Sequence, residues 1–434
     1  MDGIFSTLSA DDASDQDARH PTYDVVILGA GMTGMTLAHD LGQEGLRVCL
    51  IDQYEQAGGN HLSDQVGDMT FDIGAIFHWS DSKLFEMFPE LRAQCVPVTW
   101  RTDRINPDGE IVAYPFDYKR EFFQRSPIRI AKIALGVLKH RLFTNPNTNA
   151  ASFLNHYLGA ELVKTSGVGA FVQRFYGLPA QDITADFAKA RMIHIVQGAS
   201  VSYIAKKAYA RIGRSPTKAN NQCLARPKSG FGTFYDIAVR QMTASGIAVR
   251  LGCEVQTISK SEHGLRLQTS QGTIHASRII STIPITETAE KIGVSAENAP
   301  TSLALHSLYF RFKGRLGFKG PILYNFQNQG RWKRLTLHSQ YYGDADGWSY
   351  FTIETTARAN EKADAATFEQ DFRTSIGGLS ILKGELELVG HRETEFAYPL
   401  YDASANAKRD ALLEKINAFG IETVGRQGRF DYLP

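Results

Sequence analysis

The stretch Tyr23–Asp52, YDVVILGAGMTGMTLAHDLGQEGLRVCLID, decides how this chain is read. Tyr23–Leu28 is a short apolar, β-branched run, suited to a strand buried in a parallel sheet. Gly29-Ala30-Gly31-Met32-Thr33-Gly34 follows at once, and Met35–Leu41 has helical spacing. Arg47–Ile51 reads as a second strand and ends in Asp52. Each glycine has its own physical task. Gly29 permits the tight turn, Gly31 lets backbone approach a pyrophosphate, and Gly34 lets helix and strand pack closely. The phosphates then face a helix N-terminus, where unpaired N–H groups and about half a positive charge favour an anion. Asp52 stands 23 residues after Gly29, close to the ~20 expected of the acid that takes ribose hydroxyls. Strand, turn, helix, strand and acid in this order imply a dinucleotide-binding βαβ unit. The alternative, a glycine-rich turn that binds nothing, makes each of those placements a coincidence.

The rest of the chain bounds what surrounds this unit. Its 434 residues, 43% hydrophobic, exceed what one compact domain usually holds, so two domains are expected. Lys and Arg total 47 and Asp and Glu 46, a net charge of +1, without the basic excess of a nucleic-acid binder. Cys49, Cys95, Cys223 and Cys253 are scattered and form no C-x-x-C pair, which argues against a zinc knuckle or a dithiol motif. They fit reduced thiols in a cytoplasm. Residues 1–21 are acidic and polar, lack the basic start and apolar core of a signal peptide, and are expected to form a disordered tail. No apolar run is long enough to cross a bilayer. Pro127–Phe143 (PIRIAKIALGVLKHRLF) is basic and amphipathic. That pattern suits a membrane surface. It also suits an ordinary helix packed on its own domain, which is the expectation here.

Beyond Asp52 the chain carries Gly58-Gly59-Asn60, then TFDIGAIFHW over Thr70–Trp79. This layout resembles the start of the FAD-dependent amine oxidase superfamily, which includes protoporphyrinogen oxidases, phytoene desaturases and UDP-galactopyranose mutases. There a double glycine follows the ribose acid and a D-x-G segment, here Asp72 and Gly74, runs beside the flavin. The similarity extends over nearly the whole chain after residue 22. Phe171–Arg191 resembles a helical stretch of the superfamily's substrate domain, and Arg226–Met242 the segment before the chain returns to the FAD domain. Gly246–Ile258 resembles the strand pair whose valine, here Val255, touches adenine through its backbone. Arg278–Pro284, Tyr398-Pro399 and Gly425–Tyr432 (GRQGRFDY) match the later elements.

The resemblance implies an α/β chain with a discontinuous Rossmann-type FAD-binding domain over 22–100, 222–300 and 395–434. An α+β substrate domain takes a helical insertion at 101–221 and a strand-rich segment at 301–394. Within the latter, Ser302–Phe312, Pro321–Phe326, Arg334–Ser339 and Trp348–Thr356 read as strands, being rich in β-branched and aromatic residues. The implied cofactor site comprises Gly29, Gly31, Gly34, Asp52, Gly58, Gly59, Asn60, Asp72, Gly74, Val255, Gly425 and Arg426. No second G-x-G-x-x-G follows a strand, so a built-in NAD(P)H site is not indicated.

Two chemistries are open under this resemblance. In an oxidoreductase, a small-molecule substrate loses hydride to flavin N5, and a lysine often stands near it; Lys228 and Lys333 are the candidates. In a UDP-galactopyranose mutase-like enzyme, reduced flavin attacks the anomeric carbon of a nucleotide sugar while arginines hold the diphosphate. Gly58-Gly59-Asn60 and Ile76-Phe77-His78 match that family, and Trp332-Lys333-Arg334 with His338 resembles its clamp strand. Arg334 is then a phosphate clamp, or else a solvated strand charge. His78 is a flavin-side residue, or else a core histidine. Arg426 and Tyr432 fit the arginine and tyrosine near the flavin, and Arg191 is a further clamp candidate. The chain departs from that family at Ala75, where a histidine is usual, and at Lys333, where a threonine is usual. In the family an acidic residue and a flavin-facing helix follow the last motif; the sequence given stops at Pro434. A third possibility is a non-catalytic FAD-binding protein that kept the fold.

Overall fold

A computed structural model describes residues 22–99, 101–117, 127–198, 222–262, 264–358, 361 and 364–431. The expected acidic tail lies outside them. The chain divides into two compact units. The first takes the described parts of Met1–Gly59, Ala238–Asn298 and Ala411–Phe430; the second takes those of Asn60–Ile237, Ala299–Asp410 and Asp431–Pro434. Of the segments expected for the FAD-binding domain, residues 60–99, 222–237, 299–300 and 395–410 group with the second unit.

In the first unit, Thr22–Leu28 pairs in parallel with Val48–Ile51 on one side and Gly272–Ser281 on the other. Ala248–Arg250 extends the sheet beyond Val48–Ile51, and Ile421–Thr423 pairs with the end of Gly272–Ser281, both again parallel. Val255–Ser261 and Gly264–Thr269 join as an antiparallel ribbon. Val25–Leu28 and Val48–Ile51 are buried throughout. That is why they read as unbroken apolar runs: a parallel sheet is covered on both faces, so alternation is lost. Helix Met32–Gln43 buries Gly34, Met35 and Ala38. Parallel pairing brings the C-terminal ends of these strands to one rim, followed by Gly29, Asp52, Thr282 and Gly425. Open α/β sheets bind their ligands at such a rim.

The second unit is built on a seven-stranded sheet in the order 382–399, 302–316, 349–358, 334–337, 322–325, 102–105, 111–113. The four expected strands appear as Ser302–Leu316, Ile322–Asn325, Arg334–Leu337 and Ser349–Arg358. The insertion expected to be helical from 101 instead opens with strands Thr102–Ile105 and Ile111–Ala113. Their connection holds Pro107, Asp108 and Gly109, the last at φ +80°, a hairpin signal that the helical reading passed over. Helix Ala365–Ile376 covers the sheet, setting Phe368 and Phe372 against Phe310, Phe351 and Ile353. Helices Pro127–Phe143, Ala150–Leu158, Ala160–Ser166, Val168–Tyr176 and Ala185–Gly198 share a second apolar cluster around Phe153, Phe171 and Met192. The four cysteines are free. Among the described residues, no helix is long and apolar enough to cross a membrane.

Candidate functional site

The rim of the first unit is built around the N-terminus of helix Met32–Gln43. Its cap, Gly31, carries no side chain, and the first turn holds no acid. The helical ladder starts with Met35 N–H donating to Gly31 C=O (3.0 Å). The N–H groups of Met32, Thr33 and Gly34 are therefore the donors that a helix leaves over at its start. The three glycines of the motif are glycine for different reasons. Gly29 has φ +101°, and a Cβ there lies 2.5 Å from Thr282 Oγ1. A Cβ on Gly34 lies 1.8 Å from the Gly29 carbonyl oxygen, so helix and strand meet only over bare backbone. Gly31, at φ −74° and ψ 176°, has a conformation open to any residue. A Cβ there meets nothing nearer than Gly59 Cα, at 3.7 Å. Packing within the protein does not require glycine at 31. What the glycine keeps open is space beside a helix N-terminus, as a pyrophosphate needs.

The remaining rim residues close around this space. Asp52 Oδ2 accepts from Ala30 N–H (2.7 Å) and Oδ1 from Tyr54 N–H (2.9 Å). Burial raises its pKa, and the two N–H donors oppose the shift. A carboxylate has about four acceptor sites, so both oxygens retain capacity for ribose hydroxyls. Gly58 N–H donates to Ala30 C=O (2.8 Å), and Gly58 bridges Gly31 in parallel. Arg250–Cys253 is stitched to Asp52–Tyr54 by three backbone hydrogen bonds of 2.8–3.0 Å, and buried Val255 opens the strand that follows. Gly425, at φ +85°, comes so close to Thr33 that a Cβ lies 2.9 Å from its side chain. The segment Gly425–Gly428, with half-buried Arg426, therefore stands at the same helix N-terminus. This donor set fits a dinucleotide.

The second unit holds the other anticipated residues. Asp72 is buried; its Oδ1 accepts from Arg226 Nε (2.5 Å) and from the Ser63 hydroxyl (2.8 Å). Arg226 is fully buried and also donates to the carbonyls of Thr70 and Pro227. Burial works against the Arg226 charge, but Asp72 more than offsets it, and the pKa lies above its ordinary value. The Thr352 hydroxyl donates to the Asp72 carbonyl (2.8 Å) and lies 2.8 Å from His338 Nε2. A hydroxyl has one hydrogen, so His338 donates from Nε2. Burial, then the nearby Arg226 charge, hold this imidazole neutral. Gly74 lies against a second ionic group: a Cβ there meets Arg334 Nη2 at 3.2 Å and the Glu354 carboxyl at 3.3 Å. Glu354 takes both forks of Arg334, with Nη2 to Oε2 at 2.8 Å, and has Lys333 Nζ at 3.5 Å. Lys333 is fully buried, with its ammonium 4.0 Å from the Tyr398 ring centroid and 4.4 Å from that of Phe175.

Several readings of single residues change accordingly. Arg334 is not a solvated strand charge: its side chain is 12% exposed and bound to Glu354. His78 is buried among Phe85, Phe231, Phe234 and His61, stacked on Phe234 at 5.5 Å. Among the described residues its Nε2 has no hydrogen-bond partner, and burial lowers its pKa to about 4. Lys228 and Asn60 are exposed. Arg191 lies on helix Ala185–Gly198, but its side chain, like all of Tyr432, lies outside the described residues. Glu354 and Thr282 were not anticipated. Glu354 had a signal: one acid within the apolar, β-branched run Ser349–Ala357 announces a buried counter-ion.

A family model described as an NAD(P)-binding Rossmann-like domain matches residues 27–91. A probable flavin-containing monoamine oxidase A of Dictyostelium discoideum is 36% identical over 76 residues, 17% of each chain. A pseudooxynicotine dehydrogenase of Pseudomonas sp is 21% identical over 287 residues, 61% of this chain and 52% of that one. These matches thus span a sixth and about half of the relatives' own lengths. The crystal structure of a reduced UDP-galactopyranose mutase superposes with a TM-score of 0.74 at 16% identity, covering 94% of this chain and 90% of that one. The chain has the fold of that mutase. Within that fold, Gly31 and Asp52 stand at the rim of the first unit, and the D-x-G segment lies in the second.

Proposed function

We propose that this chain is an FAD-dependent oxidoreductase acting on a small-molecule substrate. The observation that carries the reading is the open space at Gly31 beside an uncapped helix N-terminus, with Asp52 on the same rim. The Gly58-Gly59-Asn60 and D-x-G segments, shared with the superfamily, and a relative named as flavin-containing support FAD. FAD, when bound, supplies a hydride acceptor at N5. The chain's own residues bind and orient it. The N–H groups of Met32, Thr33 and Gly34 hold the pyrophosphate and Asp52 the ribose. The four free thiols support a cytoplasmic location.

A second reading, a mutase-like isomerase using reduced FAD on a nucleotide sugar, is favoured by the likeness to UDP-galactopyranose mutase and by the Ile76-Phe77-His78 match. Against it, Arg334, the residue expected to clamp the diphosphate, is held in both forks by Glu354. The histidine expected before Ile76 is Ala75.

The visible spectrum of the purified protein, before and after chemical reduction, tests the cofactor. Amines, porphyrinogens and nucleotide sugars are then added in each redox state. Bleaching of oxidised flavin by a substrate supports the oxidoreductase. Turnover only with pre-reduced flavin, which stays reduced, supports the mutase. A flavin that binds but responds to no substrate leaves a non-catalytic FAD-binding protein. In a folded Arg334→Ala variant, unchanged nucleotide-sugar affinity counts against the mutase.

A further inference from the structure

Helix Pro127–Phe143 has two apolar faces, and the core uses one. Ile133 is buried and Val137 half-buried, both in the cluster of the helical layer. On that side the backbone approaches Gly159 so closely that a Cβ there lies 2.9 Å from Val137 N. The other apolar residues point outward: Ile128 is 71% exposed, Leu135 66%, Leu138 56%, Leu142 68% and Phe143 81%. At about 100° per residue, Ile128, Leu135, Leu138 and Leu142 fall within roughly 80° of one another, a single stripe facing away from Ile133 and Val137. Contiguous exposed apolar surface of this kind marks an interaction site. The expectation that this helix hides its apolar stripe on its own domain therefore holds only for the narrow Ile133–Val137 side.

Charge decides the partner. Exposed Lys132 and Lys139 border the stripe on one side and exposed Arg141 on the other, and the helix contains no acid. Pairing with a second copy of the same face sets cation against cation. Anionic headgroups complement it, and aliphatic side chains between lysines suit the boundary between headgroup and acyl chain. The helix, about 25 Å long, is neither long nor apolar enough to span a bilayer. We propose that helix Pro127–Phe143 docks the protein in the surface of an anionic phospholipid membrane, lying in its plane.

The test is flotation of the full-length protein with vesicles of phosphatidylcholine, with and without phosphatidylglycerol. The expected result is binding to the phosphatidylglycerol vesicles, weakening as salt rises. Leu135→Asp/Leu142→Asp and Lys132→Glu/Lys139→Glu each lower that binding by roughly tenfold or more. Because these side chains are exposed, circular dichroism and melting temperature stay as in the wild type, which separates lost docking from lost folding. Failure to float with either vesicle overturns the proposal, as does undiminished binding by folded Leu135→Asp/Leu142→Asp. A lipid-free dimer seen by light scattering, which that double variant renders monomeric, assigns the face to a second copy and overturns it equally.

Discussion

Gly31 and Gly34 belong to one motif, yet the protein asks different things of them. A methyl group at 34 collides with the Gly29 carbonyl oxygen, whereas at 31 it finds only ordinary van der Waals contact. Gly34→Ala is therefore expected to cost roughly 1–3 kcal/mol or more of folding stability, read by denaturant melts. Gly31→Ala should fold normally; it and Gly31→Val should lose FAD, read from the flavin absorbance of the purified variants. Retained flavin in Gly31→Val sinks the cofactor assignment. Asp52→Ala should weaken FAD by roughly 1.5–3 kcal/mol, the worth of hydrogen bonds to a charged acceptor. His78 makes a pH prediction. Its pKa falls from 6.5 to about 4 on burial. The native state then binds fewer protons than the unfolded chain between those values. The stability is fully present above pH 6.5 and drains as pH falls, by about 3 kcal/mol in all. Melts of the wild type and His78→Phe at pH 7 and 5 should show a shallower fall in the variant. Equal slopes would refute the assignment. His338, also held neutral by burial, adds to the wild-type slope with the same sign.

At the scale of elements, the D-x-G segment joins separate strands. Hairpin Ser63–Val66/Met69–Asp72 ends in a carboxylate that holds Arg226, while its last carbonyl is held by Thr352 on strand Ser349–Arg358. Removing one partner of a buried pair leaves the other charge uncompensated, so Arg226→Ala should lose roughly 3–5 kcal/mol. Asp72→Asn should lose less, because the amide still accepts the Ser63 hydroxyl and an Arg226 N–H. Because Asp72→Asn keeps Arg226 packed and removes only the compensating carboxylate charge, comparable losses would show that the charge of the pair, rather than the packing of Arg226, is what matters. Glu354 plays the matching part for Arg334 and Lys333. These pairings were only partly legible. The pattern D-x-G marked Asp72 and Gly74, but the partners stand 154 and 260 residues further on, at Arg226 and Arg334. Nothing in local sequence measures which distant cation a buried acid will meet.

For the whole molecule, a ligand that binds only the folded state raises stability by mass action. At a hundredfold excess over Kd, added FAD should stabilise the protein by about 2.7 kcal/mol, seen as a higher melting temperature. ADP should give part of that shift, since the rim residues of the first unit address pyrophosphate and ribose. No shift with either would mean that the rim is not a dinucleotide site.

The βαβ unit could be read from Tyr23–Asp52 because every determinant is local: apolar runs, glycine spacing, and an acid at a set distance. The later sheet strands were visible for the same reason, through β-branched and aromatic runs. Burial and charge pairing were not local. Whether Arg334 faces water or Glu354, whether His78 keeps a hydrogen-bond partner, and which stripe of Pro127–Phe143 meets the core depend on residues far along the chain. The free energy of a charge or an apolar side chain is set by its surroundings, and folding alone assembles them.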